Sequence, residues 1–525
     1  MTGTRTLLAL ALRRDRVLLP AWIIVFVVVA ASSAASVVAL YPTGASVAAT
    51  ALAVNGTPSL LALYGPIYDP TSVGALAIWK PAGSGAALLA VLTGFTVIRH
   101  TRTEEEVGRL ELLGSTGLGR GVPLAVAGLV GVGTALVVGV LSAVALAASG
   151  LPVAGSLAFG AAWAGCGVVF AGVGAVAAQL TRSARTARGL TVAALLVAFL
   201  LRAAGDASGP AWLTWLSPLG WAQLVRAYAG ERWWLLSLPL ASALVLGVLA
   251  DRLDASRDLG TGILVERPGP ATGPDLRSPL ALAWRLQRGP FAAWTAGFVL
   301  VAALLGSLTP TVAGLLDNPA LQDVIRQLGG RQALTDAVVA TDLGVLGLLA
   351  AGFAVASVLR LHGEEEAGRA EAVLSGPVGR IRWAGGHVLV AAAGSALLMA
   401  VAGAAVGVAD GARSGRPWAG VPRFVGAALV QVPAVWVLAA VALALVGFAP
   451  RAAPAVWVLL AGAVLVAELG PLLRLRQWVL DLSPFTHVPH LPGGAFSVVP
   501  LVWLTAVAAG LTVAGLAALR RRDLA

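Results

Sequence analysis

Residues 121–181 read GVPLAVAGLVGVGTALVVGVLSAVALAASGLPVAGSLAFGAAWAGCGVVFAGVGAVAAQLT, a run of 61 residues without a charged side chain. A transmembrane helix needs about 20 apolar residues, so this run is long enough to cross a bilayer twice. The strong break near its middle is Ser149-Gly150-Leu151-Pro152, which predicts a turn between two helices. Both ends of the run then face the same side of a membrane. The run therefore predicts a polytopic membrane protein of the all-α class.

The composition of the whole chain agrees with a membrane protein. Of 525 residues, 58% are hydrophobic and 12% are charged, whereas soluble domains have roughly 45–50% apolar and about 25% charged residues. The apolar run that begins at Val17 is too long for the core of a cleavable signal peptide, which predicts a retained first helix. The one cysteine, Cys166, excludes a disulfide framework and cysteine-based zinc or iron–sulfur sites.

Charge clusters, proline and glycine breaks and apolar length predict about 12 transmembrane helices. The first six are expected near Leu18–Tyr41, Trp79–Ile98, Val122–Ala148, Val153–Leu180, Gly189–Ala203 and Trp233–Ala250. The second six are expected near Phe291–Leu316, Leu343–Leu359, Trp383–Ala409, Phe424–Phe448, Ala452–Leu469 and Val498–Leu519. They divide the chain into a first half, residues 1–250, a cytoplasmic linker, residues 251–289, and a second half, residues 290–525.

The distribution of basic residues predicts the orientation. With the amino terminus inside, 25 of the 36 Lys and Arg residues fall on the inner side of this arrangement. This bias matches the positive-inside rule, so we expect a multi-pass protein of the cytoplasmic membrane with both termini in the cytoplasm. The net charge of +11 follows from the topology, and we therefore do not expect nucleic-acid binding.

The chain contains an internal repeat. Residues 104–111, EEEVGRLE, recur as residues 364–371, EEEAGRAE, with six identities in eight positions at an offset of 260. Each copy follows the second helix of its half. Leu216-Ser217-Pro218 likewise matches Leu482-Ser483-Pro484 at an offset of 266. A six-helix unit returns to its starting side, so we expect two parallel six-helix repeats related by an axis along the membrane normal.

The repeated motif predicts a short amphipathic helix on the cytoplasmic surface. Val107, Leu110 and Leu113 are three residues apart, with glutamate and arginine on the other faces. One such segment could simply be the solvated end of a helix. Three consecutive carboxylates, present twice in the compartment that favours basic residues, instead suit docking onto a basic partner surface.

From Glu104 through Arg120 the chain resembles the cytoplasmic loop of type-2 ABC exporter permeases, in which a coupling helix contacts the ATPase. The resemblance extends to six helices in each half and to the Leu-Ser-Pro element, where that family has short re-entrant helices. Two halves in one chain are similar to the fused, double-length exporters of polyketide antibiotics of the tetronasin type, which implies efflux of antibiotics or several drugs. It implies ATPase coupling through Glu104, Glu105, Glu106, Gly108, Arg109 and Glu111, and through Glu364, Glu365, Glu366, Gly368, Arg369 and Glu371. The second copy departs from the motif because Ala370 and Ala372 replace Leu110 and Leu112.

The sequence itself carries no site for ATP. A phosphate-binding loop of the Walker type needs a lysine within a glycine-rich segment, and the single lysine, Lys80, lies between Trp79 and Pro81. We therefore expect this chain to be a transport subunit and not an enzyme, with no cofactor of its own. ATP and magnesium would be used by a separate ATP-binding subunit, in two copies for two coupling helices.

Few charges fall within the predicted helices, which favours a lipophilic small molecule as substrate. The resemblance implies a substrate path between the halves, chiefly on the first, second and fifth helices of each. Trp22, Phe26, Phe95 and Trp294 are the aromatic side chains that we predict along this path, although interfacial or lipid-facing positions would also suit them.

Two other function classes are open at this stage. An ion-coupled secondary transporter also often has two parallel six-helix halves, and it needs titratable groups in its bundle. The groups that could serve are Glu468, Asp206, Asp342 and Asp410. An intramembrane enzyme would need a catalytic or metal site. His487 and His490 are three residues apart, but no third ligand accompanies them, so we predict no catalytic and no metal site.

Overall fold

The computed structural model describes residues 3–40, 44–56, 58–114, 119–207, 210–264, 273, 276–315, 330–413, 415–469 and 476–522. Every regular element within these ranges is helical. The chain divides into two compact units, Met1–Gly269 and Pro270–Ala525, and the boundary falls inside the linker predicted at residues 251–289.

The first unit is built from long apolar helices joined by short ones. Its helices are α1 (Thr4–Arg14), α2 (Leu18–Leu40), α3 (Gly44–Asn55), α4 (Pro58–Tyr64), α5 (Val73–His100), α6 (Arg102–Glu106), α7 (Arg109–Gly114), α8 (Val122–Ala148), α9 (Val153–Leu180), α10 (Ala184–Ala207), α11 (Trp212–Trp215), α12 (Pro218–Leu224) and α13 (Ser237–Ser256). A 3₁₀ turn, Trp233–Leu236, leads directly into α13.

The second unit repeats this pattern. Its helices are α14 (Pro279–Leu315), α15 (Gly330–Glu366), α16 (Arg369–Leu374), α17 (Arg380–Arg413), α18 (Val421–Leu429), α19 (Val432–Phe448), α20 (Val456–Leu469), α21 (Gln477–Leu480) and α22 (Val498–Arg521). Two 3₁₀ turns, Pro450–Ala455 and Pro484–His487, precede α20 and follow α21.

Ten helices within the described ranges are long and apolar enough to cross a membrane. They confirm the all-α polytopic class and coincide with ten of the twelve predicted spans. The seventh and eleventh predicted spans, Phe291–Leu316 and Ala452–Leu469, fall on α14 and α20. These two helices are not among the ten, and α20 has only 14 residues.

The uncharged run forms the predicted hairpin at the centre of the first unit. Helices α8 and α9 are joined by a turn in which Gly150 has a φ of 87°, a conformation that glycine adopts without strain. Gly139 and Gly160 face each other at the crossing, so closely that a Cβ on either would overlap the backbone of the other. Helix α9 also packs against α5 and α13, and therefore forms the core of the unit.

The fifth helix is longer than predicted. The expected span, Gly189–Ala203, treated Arg202 as a residue near the helix end, whereas α10 continues through Ala207. Arg202 is buried, donates hydrogen bonds to the carbonyls of Ala62 and Leu63, and lies 3.7 Å from Asp206. A charge that is paired and hydrogen-bonded in this way can remain inside a helix bundle.

The first part of the predicted linker belongs to the first unit. Helix α13 does not end at residue 250 but continues to Ser256, because no helix-breaking residue interrupts it. The backbone that follows is hydrogen-bonded to the end of α9, where Ile263 and Leu264 donate to the carbonyls of Gln179 and Leu180. Residues 251–264 are thus part of the first unit, at the end where α9 and α13 finish, and the second unit's first helix begins at Pro279.

Candidate functional site

Each acidic motif lies immediately after the second long helix of its unit. In the first copy α5 ends at His100 and the short α6 carries the three glutamates, whereas in the second copy α15 continues without a break to Glu366. Gly108 and Gly368 then have φ values of 71° and 67°, which place both in the left-handed region. Glycine occupies this region at little cost, so the backbone of each copy turns at this position. A short helix then begins, α7 in the first copy and α16 in the second.

Five equivalent positions of each copy are exposed: an arginine, Arg109 or Arg369, and four others that we call the outward face. In the first copy the outward face consists of Glu106, Val107, Glu111 and Leu112, and in the second it consists of Glu366, Ala367, Glu371 and Ala372. Leu112 is 73% exposed. Leu110 and Ala370, between these positions, are buried and attach the short helices to their units. The outward face of each copy therefore combines two carboxylates with two apolar side chains.

The middle glutamate of the first copy points inward, so it is unavailable to a partner. Glu105 is 6% exposed and accepts two hydrogen bonds from the guanidinium of Arg257, at 2.6 Å to Oε1 and 3.0 Å to Oε2. Arg102 lies 3.0 Å from Glu105 Oε2, and the backbone N–H of Gly260 donates to Oε1 at 2.7 Å. Two arginines and one backbone donor thus satisfy this buried carboxylate.

Arg102 and Arg257 extend this network to α9, the fourth long helix of the first unit. Arg102 Nε donates to the carbonyl of Ala178 at 2.8 Å, and Arg257 Nε donates to Gln179 Oε1 at 2.6 Å. Arg102 also donates to the carbonyl of Thr261. The acidic segment, the end of α9 and the residues after α13 are therefore joined at one end of the first unit.

The middle glutamate of the second copy makes the corresponding contact. Arg522, the residue after α22, donates to both carboxylate oxygens of Glu365 at 2.7 and 2.6 Å. Arg257 likewise follows α13, the sixth long helix of its unit. In both units the middle glutamate is therefore bound by the arginine that immediately follows the sixth helix.

The first glutamate of each triad contacts the arginine five residues later. Arg109 Nη1 lies 3.1 Å from Glu104 Oε2, and Arg369 Nε lies 2.7 Å from Glu364 Oε2. Glu104 also pairs with Arg14 at the end of α1. Glu364 is buried, whereas Glu104 is partly exposed.

The third glutamate of the first copy has a structural contact as well. Glu106 accepts a hydrogen bond at 2.8 Å from the backbone N–H of Ala184, the first residue of α10. A carboxylate at a helix amino terminus satisfies a free N–H group and interacts favourably with the helix dipole. The acidic segment therefore also contacts the start of the fifth helix.

A known protein resembles this chain over nearly its whole length. The multidrug efflux system permease protein Rv1217c of Mycobacterium tuberculosis (strain ATCC 25618 / H37Rv) is 47% identical over 525 residues, covering 99% of this chain and 95% of the relative. Residues 276–520 match the family model of the C-terminal domain of multidrug efflux system permease Rv1217c. The chain belongs to this family of multidrug efflux permeases. It is therefore a membrane permease built from two units with duplicated acidic segments.

The four aromatic side chains predicted along the substrate path occupy different environments in the permease. Trp22 is 36% exposed on α2, whereas Phe26 is buried with its ring centroid 5.6 Å from that of Trp163. Phe95 is half-buried, and the Cζ atom of Arg188 lies 5.9 Å from the centre of its ring. Trp294 is half-buried and packs on Phe298 and Phe353. Their assignment to a substrate path stays a prediction.

Each unit of the permease contains a cavity between the second helix, the fourth helix and the short elements before the sixth helix. In the first unit it measures about 50 Å³, and Tyr68, Trp79 and Arg226 are among its walls. Arg226 lies 4.5 Å from the centre of the Tyr68 ring, and burial raises the pKa of Tyr68 to about 12, so the phenol stays neutral. The corresponding cavity in the second unit measures about 450 Å³ and has mainly apolar walls, with Gln431 and Thr486 among its polar groups.

The titratable residues predicted for ion coupling are distributed along the long helices. Asp206 lies next to Arg202 and accepts a hydrogen bond from Thr214 at 3.0 Å. Asp342 and Asp410 are half-buried on α15 and α17. Glu468 belongs to α20, but its side chain lies outside the described residues. Within the described ranges, no group of three or more His, Cys, Asp or Glu side chains could hold a metal ion.

Sequence reasoning missed the arginines that bind the middle glutamates. The available signal is the tripeptide Arg257-Asp258-Leu259, which recurs as Arg522-Asp523-Leu524 at an offset of 265, close to the offsets of the other repeated elements. A tripeptide is too short to be noticed unless the sixth long helix of each half is aligned first.

Proposed function

We propose that this chain is the transmembrane subunit of an ATP-driven ABC exporter that moves lipophilic small molecules out of the cell. The observation that supports this proposal is the pair of outward faces, which expose the same four positions in both copies of the acidic motif. Each outward face would bind one copy of a separate ATP-binding subunit, which supplies ATP and magnesium. The permease would lie in the cytoplasmic membrane with both termini in the cytoplasm.

The chemistry of the outward face supports docking on a protein. Leu112 and Val107 are 73% and 56% exposed, and they lie beside the carboxylates of Glu106 and Glu111. Exposed apolar side chains next to two carboxylates fit a partner surface with an apolar pocket and a basic rim. The buried contacts of Glu105 and Leu110 hold this surface in one orientation.

The substrate class rests on the relative and on the membrane helices. The relative is named as a multidrug efflux permease, which favours several drugs or antibiotics over one polar metabolite. The second-unit cavity of about 450 Å³ lies within the size range of ligand pockets and has mainly apolar walls. Ion coupling is the less supported alternative, because Asp206 is already engaged by Arg202 and Thr214.

The proposed orientation is tested by labelling single cysteines in cells with a membrane-impermeant reagent. After replacement of Cys166, the variants Ser256→Cys and Ser375→Cys should be labelled only after permeabilisation. The variants Thr71→Cys and Ser497→Cys should be labelled in intact cells, and all four positions are exposed. Labelling of Ser256→Cys from outside would overturn the orientation.

The proposed function is tested by co-purifying the tagged permease with its ATP-binding subunit from its own membranes. Wild-type permease should carry ATPase activity with it and support drug efflux, whereas the permease alone should hydrolyse no ATP. The double variant Glu111→Lys/Leu112→Ala should lose more than tenfold in ATPase association with normal membrane expression. Asp251→Lys reverses an exposed carboxylate outside the outward face and is the matched control. Efflux by a permease that retains no ATPase would refute the proposal.

The double variant Glu111→Lys/Leu112→Ala leaves the buried carboxylates of the acidic segment unchanged. Reversing Glu104, Glu105 and Glu106 together would place a lysine between Arg102 and Arg257 and would disrupt the inner end of the unit. Such a variant would lose partner binding through misfolding, whatever the function of the outward face. Glu111 and Leu112 are exposed, so their replacement changes the surface alone.

A further inference from the structure

The contact between the middle glutamate and the sixth helix is part of a larger arrangement that occurs in both units. In the first unit Arg257 binds Glu105 with its guanidinium, and its own backbone carbonyl accepts a hydrogen bond from Arg120. Arg120 lies two residues before the third long helix, α8. Arg257 therefore joins both ends of the segment between α5 and α8 to the end of α13, the sixth long helix.

The second unit has the same three residues in the same roles. Arg522 binds Glu365, and its backbone carbonyl accepts a hydrogen bond at 2.5 Å from Arg380, the first residue of α17. Arg380 also donates to the carbonyl of Arg520. Arg380 is offset from Arg120 by 260 residues, as Glu365 is from Glu105. Two separate units thus hold one arrangement, which we call the sixth-helix latch.

We propose that Arg257 and Arg522 are positioning residues that fasten each acidic segment to the sixth helix of its own unit. The outward face and the sixth helix then move as one body. This inference deepens the proposed function, because it names the membrane helix to which a force on the outward face is transmitted. The bidentate contact at Arg257 supports this role, since two parallel hydrogen bonds fix direction as well as distance.

The latch is tested first by a distance measurement that needs no ATP-binding subunit. Spin labels are placed on the outward face and on the exposed side of the sixth helix, at Leu112 with Arg252 and at Ala372 with Ala517. The full-length wild-type permease, reconstituted in lipid, should give one narrow distance distribution for each pair. Arg257→Gln should broaden the first distribution and Arg522→Gln the second. Narrow, unchanged distributions in both variants would overturn the latch.

Rescue distinguishes positioning from a general loss of structure. In the second unit the double variant Glu365→Arg/Arg522→Glu restores an opposite-charge pair and should narrow the distribution again. The first unit is unsuited to this exchange because Arg102 and Asp254 lie next to the pair. There Arg257→Lys should give an intermediate width, since lysine keeps the charge but not the fork geometry. Arg521→Gln, at an exposed neighbouring residue, is the control and should change nothing.

Transport gives the second readout. With the ATP-binding subunit present, Arg257→Gln and Arg522→Gln should lower the amount of substrate exported per ATP hydrolysed several-fold, while the subunit still co-purifies. An unchanged ratio together with broadened distances would overturn transmission through the sixth helix. A wild-type permease that binds no ATP-binding subunit would refute the proposed function but leave the distance result intact.

Discussion

The two acidic segments share a sequence pattern but differ in how firmly they are held. Glu105 is bound by Arg257, Arg102 and the N–H of Gly260, whereas the carboxylate of Glu365 pairs, among the residues that the structure describes, with Arg522 alone. The side chain of Arg522 is also more exposed than that of Arg257, at 19% against 7%. A duplicated motif can therefore keep one contact in common while the surrounding network differs.

The outward faces also differ in how much apolar surface they expose. The first copy exposes Val107 and Leu112, whereas the second exposes Ala367 and Ala372. The first copy thus combines the more buried support with the larger apolar surface. We expect the first copy to carry more of the partner binding, with both copies necessary for transport.

The largest difference is expected from removing the middle glutamate. Glu105→Ala leaves two buried arginines without their carboxylate, and breaking a buried pair costs about 3–5 kcal/mol. Glu365→Ala should cost less, because Arg522 can reach water. Thermal unfolding of the purified permease in detergent measures both losses, with Glu106→Gln as the control that keeps the acceptor for Ala184. Equal losses in the two copies would contradict the difference in support.

The next effect concerns the apolar part of the outward faces. Burying a leucine side chain contributes about 1.5–3 kcal/mol, so Leu112→Ala should weaken ATPase association by about tenfold or more. Ala372→Leu should strengthen it. Both residues are exposed, and the unfolding temperature should therefore stay unchanged. The affinity of detergent-solubilised permease for the ATP-binding subunit gives the measurement, and unchanged affinity in both variants would remove the docking role of this position.

Where the two copies have the same backbone, they should respond equally. Gly108→Ala and Gly368→Ala place a Cβ on residues with positive φ, and no other atom lies within 4 Å of either new Cβ. The cost is therefore conformational strain alone, about 1–2 kcal/mol for each variant. Matched decreases in unfolding temperature are expected, and a large difference between the two would show that the turns are not equivalent.

The smallest effect is expected from the exposed arginines of the motif. Arg109 and Arg369 have 49% and 58% of their side chains exposed, and such pairs contribute about 0–1 kcal/mol because water and salt screen them. Arg109→Gln and Arg369→Gln should therefore unfold within a few degrees of the wild type. A loss as large as that of Glu105→Ala would show that these arginines support the segment.

The membrane class followed from apolar length, because hydrocarbon imposes one strong requirement on the backbone, namely internal hydrogen bonding. The hairpin at Gly150 was also visible, as a glycine in a break. The turns at Gly108 and Gly368 were not, because the spacing of Val107, Leu110 and Leu113 predicts one continuous short helix, whereas the structure interrupts it at the glycine. The end of α10 was not visible in the sequence either, because sequence alone does not reveal that Arg202 finds carbonyl and carboxylate partners.

The acidic segments were predictable as repeats but not in their internal division of roles. Three consecutive glutamates look identical in sequence, and the contact with Arg257 is one of those that hold Glu105 inward. That contact joins residues 152 positions apart. Pairing at such a separation depends on how the second, fourth and sixth helices pack, which hydrophobic pattern and spacing do not specify.

Photocrosslinking from an outward face shows directly whether this surface binds an ATP-binding subunit, as we propose. A photoreactive amino acid replaces Leu112 in the full-length permease, and the cells that naturally contain the transport system are irradiated. We expect one main crosslinked product, which contains the permease and an ATP-binding subunit, and we expect this product to be lost when Glu111→Lys is added. Crosslinks only to lipid or to the permease itself, in cells that still export drugs, would contradict this proposal.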